Sequence, residues 1–395
     1  MTKLRKLTAI VIAMTMILTM VSCAGGKGGS KDDKVTIGYI GPLTGDSSPW
    51  GIVERQAVEM YVNDVNAAGG INGKKIDFKV YDTAGDSVQT TNAARKAIQK
   101  DGVKAFIGPD ASTSAIALGE VCAEYGVPFI STCATNYKVT QQEDGSVLPY
   151  SFRICLSDPQ IMAAVAEYAH EVLKIQKVAI IYSVGDDYSV GCQQNFTDAF
   201  KECGGEVVTT QAYQSGDVDF RAQLTNIKSY DFDALFIPAT YKELGLIANQ
   251  ARALGMKQRF LGPDCWLTGD LLKIAAKSVE GGMFAVCLNT DSEVLNDFKA
   301  KFKKKYDYDP AGVGTDAFLA ADAFIIVKNA IEKADSLDSK VIAKKIEETK
   351  DLDCLTGKIS YNPKTHNPIR ETIIYTIKDG KFVNIDTYTP KIVKR

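Results

Sequence analysis

Short apolar runs and amphipathic segments alternate along most of the chain. Val35–Ile40 and Val178–Tyr182 have the length and the β-branched content of buried strands. Residues 54–66 and 188–203 place apolar residues three and four positions apart, which predicts helices with one buried face. Strands that alternate with helices favour parallel sheets covered on both faces, so the pattern predicts an α/β fold.

The alternation predicts nine strands and ten helices before the chain changes character near residue 356. The predicted strands are 35–40, 76–80, 105–107, 128–131, 178–182, 207–209, 234–237, 260–262 and 283–288; the predicted helices are 54–66, 112–125, 160–174, 188–203, 218–229, 242–254, 270–277, 293–305, 315–333 and 338–348. Two sheets of about five strands are more usual than one of nine, so we expect two lobes that divide near 148–155. The stretches 357–361, 372–377 and 382–387 predict a small antiparallel tail.

The first 22 residues predict an export signal. Three cations, at residues 3, 5 and 6, precede an uncharged run, Leu7–Ser22, which is shorter than a membrane-spanning helix requires. The run ends at Cys23 in a pattern that resembles the lipobox of bacterial lipoproteins, although Met20 stands where Leu is usual. In that motif the cysteine is lipidated and becomes the mature N-terminus, and the Gly-rich stretch 24–31 would tether the folded body to a membrane. A cleaved signal followed by a chance cysteine stays the alternative.

Composition and charge narrow the classes of function. The 395 residues include 46 basic and 48 acidic side chains, so the chain has no basic excess for a nucleic-acid partner. With two histidines and no CxxC pair, we expect neither a metal nor a cofactor. The sequence contains no nucleophile elbow or phosphate-binding loop, which leaves an exported hydrolase-like enzyme as a weaker alternative. The eight cysteines after Cys23 leave both disulfides and buried reduced thiols open.

Polar and aromatic residues follow the predicted strands at the edge where open α/β sheets bind ligands. We expect Ser112 to cap the helix 112–125, whose free N–H groups favour an anion, and Thr135 to add a second hydroxyl. In the second half, Asp264 offers a counter-charge for an ammonium group. Three aromatic residues occupy the same edge: Trp50, Tyr188 and Tyr241. This division predicts a zwitterion held between two lobes.

The strand-end stretches resemble the leucine/isoleucine/valine-binding proteins of ABC importers. The matching stretches are Ile37–Gly45 with Trp50-Gly51, Asn66–Gly73, Asp82, Phe106–Gly108, Gly126–Ser131, Ala134–Asn136, Asp187-Tyr188 and Gly262–Asp264. The resemblance covers nearly all of the chain after the signal. It implies the type I periplasmic binding protein fold, in which two Rossmann-like lobes joined by a three-segment hinge close on a ligand.

The resemblance also implies roles for single residues. Ser112 and Thr135 would bind the α-carboxylate of an amino acid, and the backbone at Cys133 and the Asp264 carboxylate would bind its ammonium. Trp50, Tyr188 and Tyr241 would wall the pocket. The family usually has a small residue where Cys133 stands, and often Tyr or Phe where Trp50 stands, so the side-chain preference is open.

The expected organisation and function follow from these inferences. We expect a signal peptide at 1–22, a lipidated cysteine and tether at 23–33, lobe 1 at 34–154 plus 286–356, and lobe 2 at 155–285 plus 357–395. The resemblance implies a monomeric, lipid-anchored protein outside the cytoplasmic membrane that delivers a branched-chain or other apolar amino acid to an ABC permease. Relatives with this fold also bind amides or aromatic acids, and some are ligand-sensing receptor lobes, so these ligands and that role stay open.

Overall fold

The computed structural model describes residues 34–392, which form two lobes with one large sheet each. The strands are β1 Lys34–Gly41, β2 Lys75–Asp82, β3 Ala105–Ile107, β4 Phe129–Ser131, β5 Ser151–Arg153, β6 Lys177–Ser183, β7 Glu206–Tyr213, β8 Ala234–Phe236, β9 Arg259–Gly262, β10 Met283–Val286, β11 Leu352–Cys354, β12 Gly357–Ile359, β13 Tyr361–Asn362, β14 Asn367–Pro368, β15 Thr372–Lys378 and β16 Lys381–Tyr388. The α-helices are α1 Ser48–Ala67, α2 Ser87–Lys96, α3 Ser112–Tyr125, α4 Asp158–Glu167, α5 Asp187–Glu202, α6 Arg221–Lys228, α7 Tyr241–Ala253, α8 Gly269–Ala275, α9 Asn296–Tyr306, α10 Asp316–Ala334 and α11 Ser339–Glu347. The predicted α/β fold is confirmed. The predicted signal, Cys23 and the tether lie outside the described residues.

The first sheet has the strand order β2-β1-β3-β4-β5, and all of its strand pairs are parallel. Successive residues of a strand point to opposite faces. Tyr39 and Ile107 therefore join a core beneath α1 and α10, whereas Ile40 and Phe106 join a separate core beneath α2 and α3. Because helices cover both faces of this sheet, the carboxyl ends of its strands form the open edge of the lobe.

The second sheet has the order β16-β15-β10-β9-β8-β6-β7. Its five strands from β6 to β10 are parallel, and β15 runs antiparallel to β10, with Val286 opposite Ile373. The last two strands of the predicted antiparallel tail therefore extend this sheet and bury Ile374 and Tyr375. Among residues 34–392, no helix combines the length and the hydropathy that a bilayer crossing needs.

The chain passes between the two sheets three times, after β5, after β10 and before β15. The His366 ring stacks on Phe152 of β5 with 4.2 Å between the centroids, which keeps the chain on the first sheet as far as β14. These contacts favour a third crossing at 369–371, later than the position after residue 356 that we expected. The division of the chain into lobes stays a prediction.

The eight cysteines of the described chain are all free thiols, and four of them are buried. Of the two possibilities that the sequence left open, the structure therefore has reduced thiols.

Candidate functional site

The first lobe brings together the two hydroxyl residues that we predicted. β3 and β4 are neighbours in the sheet, so the loops that follow them meet at its open edge. The Ser112 Oγ accepts a hydrogen bond of 3.3 Å from the Asn136 N–H, and Thr135 is fully buried beside it. The N-terminal N–H groups of α3 lie at the same place, which is favourable for an anionic group.

The predicted capping role of Ser112 is wrong. The N-cap position of α3 is occupied by Ala111, and no side chain forms a capping hydrogen bond at this helix end. Ser112 is the first helical residue, and its hydroxyl oxygen is engaged by the β4 loop instead. The terminal N–H groups of α3 therefore have no side-chain acceptor from a cap, which is the condition that a bound carboxylate would relieve.

The second lobe pairs Tyr188 with Asp264. The Tyr188 hydroxyl donates a hydrogen bond of 2.8 Å to the Asp264 Oδ1, and it accepts one of 3.4 Å from the Cys265 N–H. Burial raises the pKa of Asp264 to about 6, although the bond from Tyr188 opposes this shift because it stabilises the charged form. The carboxylate has no Lys or Arg ion-pair partner within residues 34–392, so a cationic group of a ligand could serve as its partner.

Trp50 and Tyr241 meet across the two lobes. Their rings lie edge to face, with 5.4 Å between the centroids and 83° between the planes. Trp50 belongs to α1 of the first lobe, yet it packs against the core of the second lobe. Tyr241 begins α7, and its hydroxyl donates a hydrogen bond of 3.5 Å to the Asp46 carbonyl oxygen. The two predicted wall residues are thus part of the interface between the lobes.

Polar contacts also join the lobes around this aromatic pair. The Asn136 side-chain amide donates a hydrogen bond of 2.7 Å to the Asp187 carbonyl oxygen, and the Asp187 N–H donates one of 3.3 Å to the Thr113 Oγ1. Lys242 forms an ion pair with Asp46. The lobes are therefore in contact on both sides of the predicted site, and Ser112 and Thr135 are almost inaccessible to solvent.

Carboxylates that we did not predict lie beside these residues. Glu54, Cys133 and Asp316 each place one polar side-chain atom within 4.8 Å of the others. The Tyr39 hydroxyl donates a hydrogen bond of 2.9 Å to the Glu54 Oε2. Burial raises the pKa of Glu54 well above its usual range, and the neighbouring Asp110 and Asp316 raise it further. Such a group can accept hydrogen bonds from a cationic partner or can itself be protonated.

The sequence did carry a signal for these acids. Glu54 lies three and four positions before Ala57 and Val58, so it is a charged residue on the apolar face of α1. Asp110 lies in the same strand-end loop as Ser112. A charged residue at a position that the periodicity marks as buried needs a partner, and that requirement could have identified Glu54. Asp110 is marked only by its place in a loop at the carboxyl edge of the sheet.

A family model and the relatives found by comparison with known proteins point to the same family. The family model described as periplasmic binding protein matches residues 34–381. The leucine-specific-binding protein of Salmonella typhimurium is 29% identical over 300 residues, which cover 76% of this chain and 79% of the relative. The Leu/Ile/Val-binding protein homolog 3 of Brucella melitensis is 29% identical over 356 residues, which cover 89% of this chain and 94% of the relative.

Solved structures agree with this result. A leucine binding protein from Thermotoga maritima is 30% identical with a TM-score of 0.82, over 90% of this chain and 99% of that one. The branched-chain amino acid transporter substrate binding protein of Streptococcus pneumoniae, in complex with isoleucine, is 28% identical with a TM-score of 0.81, over 90% and 100%. The family resemblance that the sequence predicted is confirmed. The ligand contacts of single residues stay predictions.

Proposed function

The chain belongs to the periplasmic binding protein family, and we propose that it is the extracytoplasmic solute-binding subunit of an ABC importer, which captures an α-amino acid between its two lobes. The observation that carries the proposal is the division of charge across the interface. The first lobe offers the Ser112 and Thr135 hydroxyls and the N-terminus of α3, and the second lobe offers the Asp264 carboxylate. A zwitterion supplies the complement of both.

The binding mechanism follows from burial of this zwitterion. The carboxylate of the ligand would accept hydrogen bonds from the first lobe, and its ammonium would donate to Asp264 and to the backbone at Cys133. Closing the lobes removes water from both groups, which strengthens each interaction. Loss of one partner of such a buried charge pair commonly costs about 2–5 kcal/mol. Trp50, Tyr188 and Tyr241 would enclose the ligand, and the three crossings would act as the hinge.

The names of the relatives favour a branched-chain amino acid or another apolar one as the ligand. Export by the signal at 1–22, lipidation at Cys23 and attachment to the outer face of the cytoplasmic membrane would place the protein beside a permease. The ABC permease subunits are then the partners that receive the ligand, and the protein would act as a monomer.

A thermal-shift screen of the purified protein over the amino acids tests this proposal. A ligand at 100 times its dissociation constant stabilises the folded state by about 2.7 kcal/mol, so a true ligand gives a clear rise in Tm. The amide and the α-keto acid of the same ligand are matched controls, because each lacks one of the two charges. We expect both analogues to give no shift. A screen in which no α-amino acid raises Tm contradicts the proposal.

A further inference from the structure

Three buried carboxylates lie near one another in the first lobe, beside residues of the proposed site, and we refer to Glu54, Asp110 and Asp316 as the acidic pocket. Glu54 lies in the second turn of α1, Asp110 lies between β3 and α3, and Asp316 begins α10. All three are less than one tenth exposed. They come from separate parts of the sequence and meet at the carboxyl edge of the first sheet.

The acidic pocket adjoins the groups that we propose to bind the amino acid. Asp110 is two residues before Ser112, and Cys133, whose sulfur lies among the oxygens of Glu54 and Asp316, is two residues before Thr135. Asp316 also experiences the charge of Asp264 in the second lobe, which contributes to the raised pKa of Asp316. A ligand held by Ser112, Thr135 and Asp264 would therefore lie next to the pocket.

Two oxygens of the acidic pocket have no hydrogen-bond partner within residues 34–392, the Glu54 Oε1 and the Asp110 Oδ1, and the Asp110 carboxylate is the one that adjoins Ser112 in sequence. Asp110 is only 8% exposed. Its Oδ1 is inaccessible to solvent, yet it accepts no hydrogen bond within residues 34–392. None of the three acids forms an ion pair with a Lys or Arg of the described chain. Buried acceptors are normally satisfied, so an unpaired carboxylate oxygen beside a ligand site is a position where the ligand can donate.

We propose that the preferred ligand is an amino acid whose short side chain ends in a hydrogen-bond donor, an ammonium or a hydroxyl, directed at the Asp110 Oδ1. This inference rests on the proposed capture of an α-amino acid, but it assigns a polar side chain to the ligand in place of the branched-chain or other apolar one that the names of the relatives favour. A pure hydrocarbon side chain would leave the carboxylate oxygen buried and unpaired. A site with a buried acceptor discriminates strongly against the analogue that lacks the matching donor.

Calorimetry with two pairs of amino acids tests the proposal, and the two members of each pair have similar shapes. Threonine carries a hydroxyl where valine has a methyl group, and 2,4-diaminobutyrate carries an ammonium where norvaline has a methyl group. We expect the donor-bearing member to bind the wild-type protein at least tenfold more tightly in at least one pair. Equal or tighter binding of the hydrocarbon member in both pairs would overturn the proposal.

Variants at Asp110 test whether this carboxylate causes the preference for a donor-bearing side chain. We expect Asp110→Leu to abolish the preference or to reverse it, and Asp110→Asn, which keeps the shape, to weaken the preference for the ammonium. Asp231→Asn is the matched control, because the Asp231 side chain is 93% exposed. A donor preference that persists in Asp110→Leu, while circular dichroism shows a folded protein, contradicts the assignment.

Two further outcomes separate this proposal from others. Titration with Zn²⁺ or Ca²⁺ alone asks whether the pocket is a metal site. Tight metal binding by the wild-type protein that is lost in Asp110→Leu would replace the ligand proposal. If the protein binds none of the four amino acids and none in the thermal-shift screen, the proposed function itself fails. If the protein binds only amino acids with hydrocarbon side chains, the proposed donor on the ligand side chain is rejected and the proposed function stands.

Discussion

The Tyr188 hydroxyl donates a hydrogen bond of 2.8 Å to the Asp264 Oδ1, and this pair forms the acidic side of the proposed site in the second lobe. Burial raises the pKa of Asp264 to about 6, and the bond from Tyr188 limits the rise. The charge that would hold the ligand ammonium is therefore present at neutral pH but close to titration. That relationship makes the pH dependence of binding a direct test of the site.

We predict that the affinity for the amino acid rises between pH 5 and pH 8, with its midpoint near 6 in the free protein. Below the pKa of Asp264 the carboxyl group is neutral and loses most of its attraction for an ammonium. Tyr188→Phe removes the bond that favours the charged form, so its midpoint should move to higher pH. Calorimetry across this range measures both profiles, with Tyr230→Phe as an exposed tyrosine control. A flat wild-type profile contradicts the role of Asp264.

Asp264→Ala should weaken amino-acid binding at least tenfold at pH 7.5. The variant leaves the ligand ammonium buried without its counter-charge, and such losses commonly cost about 2–5 kcal/mol. Asp231→Ala, which removes an exposed carboxylate, should bind normally. Unchanged affinity in Asp264→Ala, measured by calorimetry on folded protein, would remove the assignment of Asp264 to the ammonium.

The contacts between the lobes should contribute unequally to closure. Lys242 and Asp46 form an ion pair with side chains that are 46% and 82% exposed, and exposed pairs contribute at most about 1 kcal/mol. Lys242→Met should therefore weaken binding by less than about fivefold, and high salt should mask the difference. Trp50→Ala removes the edge-to-face contact with Tyr241 and should weaken binding more, independently of salt. Small-angle scattering should show a more open protein for Trp50→Ala; the opposite ranking contradicts this account.

The lipid anchor has its own test outside the described residues. Cys23→Ala removes the only group that the lipobox pattern offers for lipidation, so the protein should appear in the medium or periplasm instead of the membrane fraction. Cys133→Ala is a control that changes a cysteine of the folded body. Membrane retention of Cys23→Ala would reject the lipid anchor.

Much of the fold could be predicted because the strand and helix periods are strong where elements are buried. The bounds predicted for β3 and α3 agree with the structure residue for residue. The helix α2 was missed because only Thr90 and Ala94 of its residues are buried, so it has no apolar stripe to detect. Its start is instead marked by Asp86, whose side chain accepts a hydrogen bond from the Gln89 N–H.

The strand β5 and the acids of the site required tertiary information. Arg153 ends β5 and is fully buried, which no strand pattern predicts. Its two terminal guanidinium nitrogens donate hydrogen bonds to the carbonyl oxygens of Ala134 and Asn136, at 2.8 and 2.6 Å, in the loop that follows β4, whereas its Nε has no partner within the described residues. The approach of Glu54 to Asp316 likewise depends on the packing of α1 against α10. Sequence patterns locate the ends of the strands, but they do not show which distant segments lie beside each strand end in the folded protein.

Arg370, in the third crossing, provides a prediction about the hinge. Its guanidinium donates hydrogen bonds of 2.8 Å to the Ile154 carbonyl oxygen in the first crossing, to the Thr356 Oγ1 and to the Asp322 Oδ2 of α10. Arg370 and Asp322 are 6% and 0% exposed, so each is the counter-charge of the other in a buried site.

Arg370→Met should lower the free energy of unfolding by about 3–5 kcal/mol, because it leaves the Asp322 carboxylate buried without a cation. Combining it with Asp322→Leu should recover part of this loss, since both charges are then absent. Urea denaturation measures the three variants, and Lys273→Met, which breaks an exposed ion pair with Asp270, should stay within about 1 kcal/mol of the wild type. A double variant as unstable as the two single losses added together would show that Arg370 acts through its separate bonds to the crossings and not through its charge.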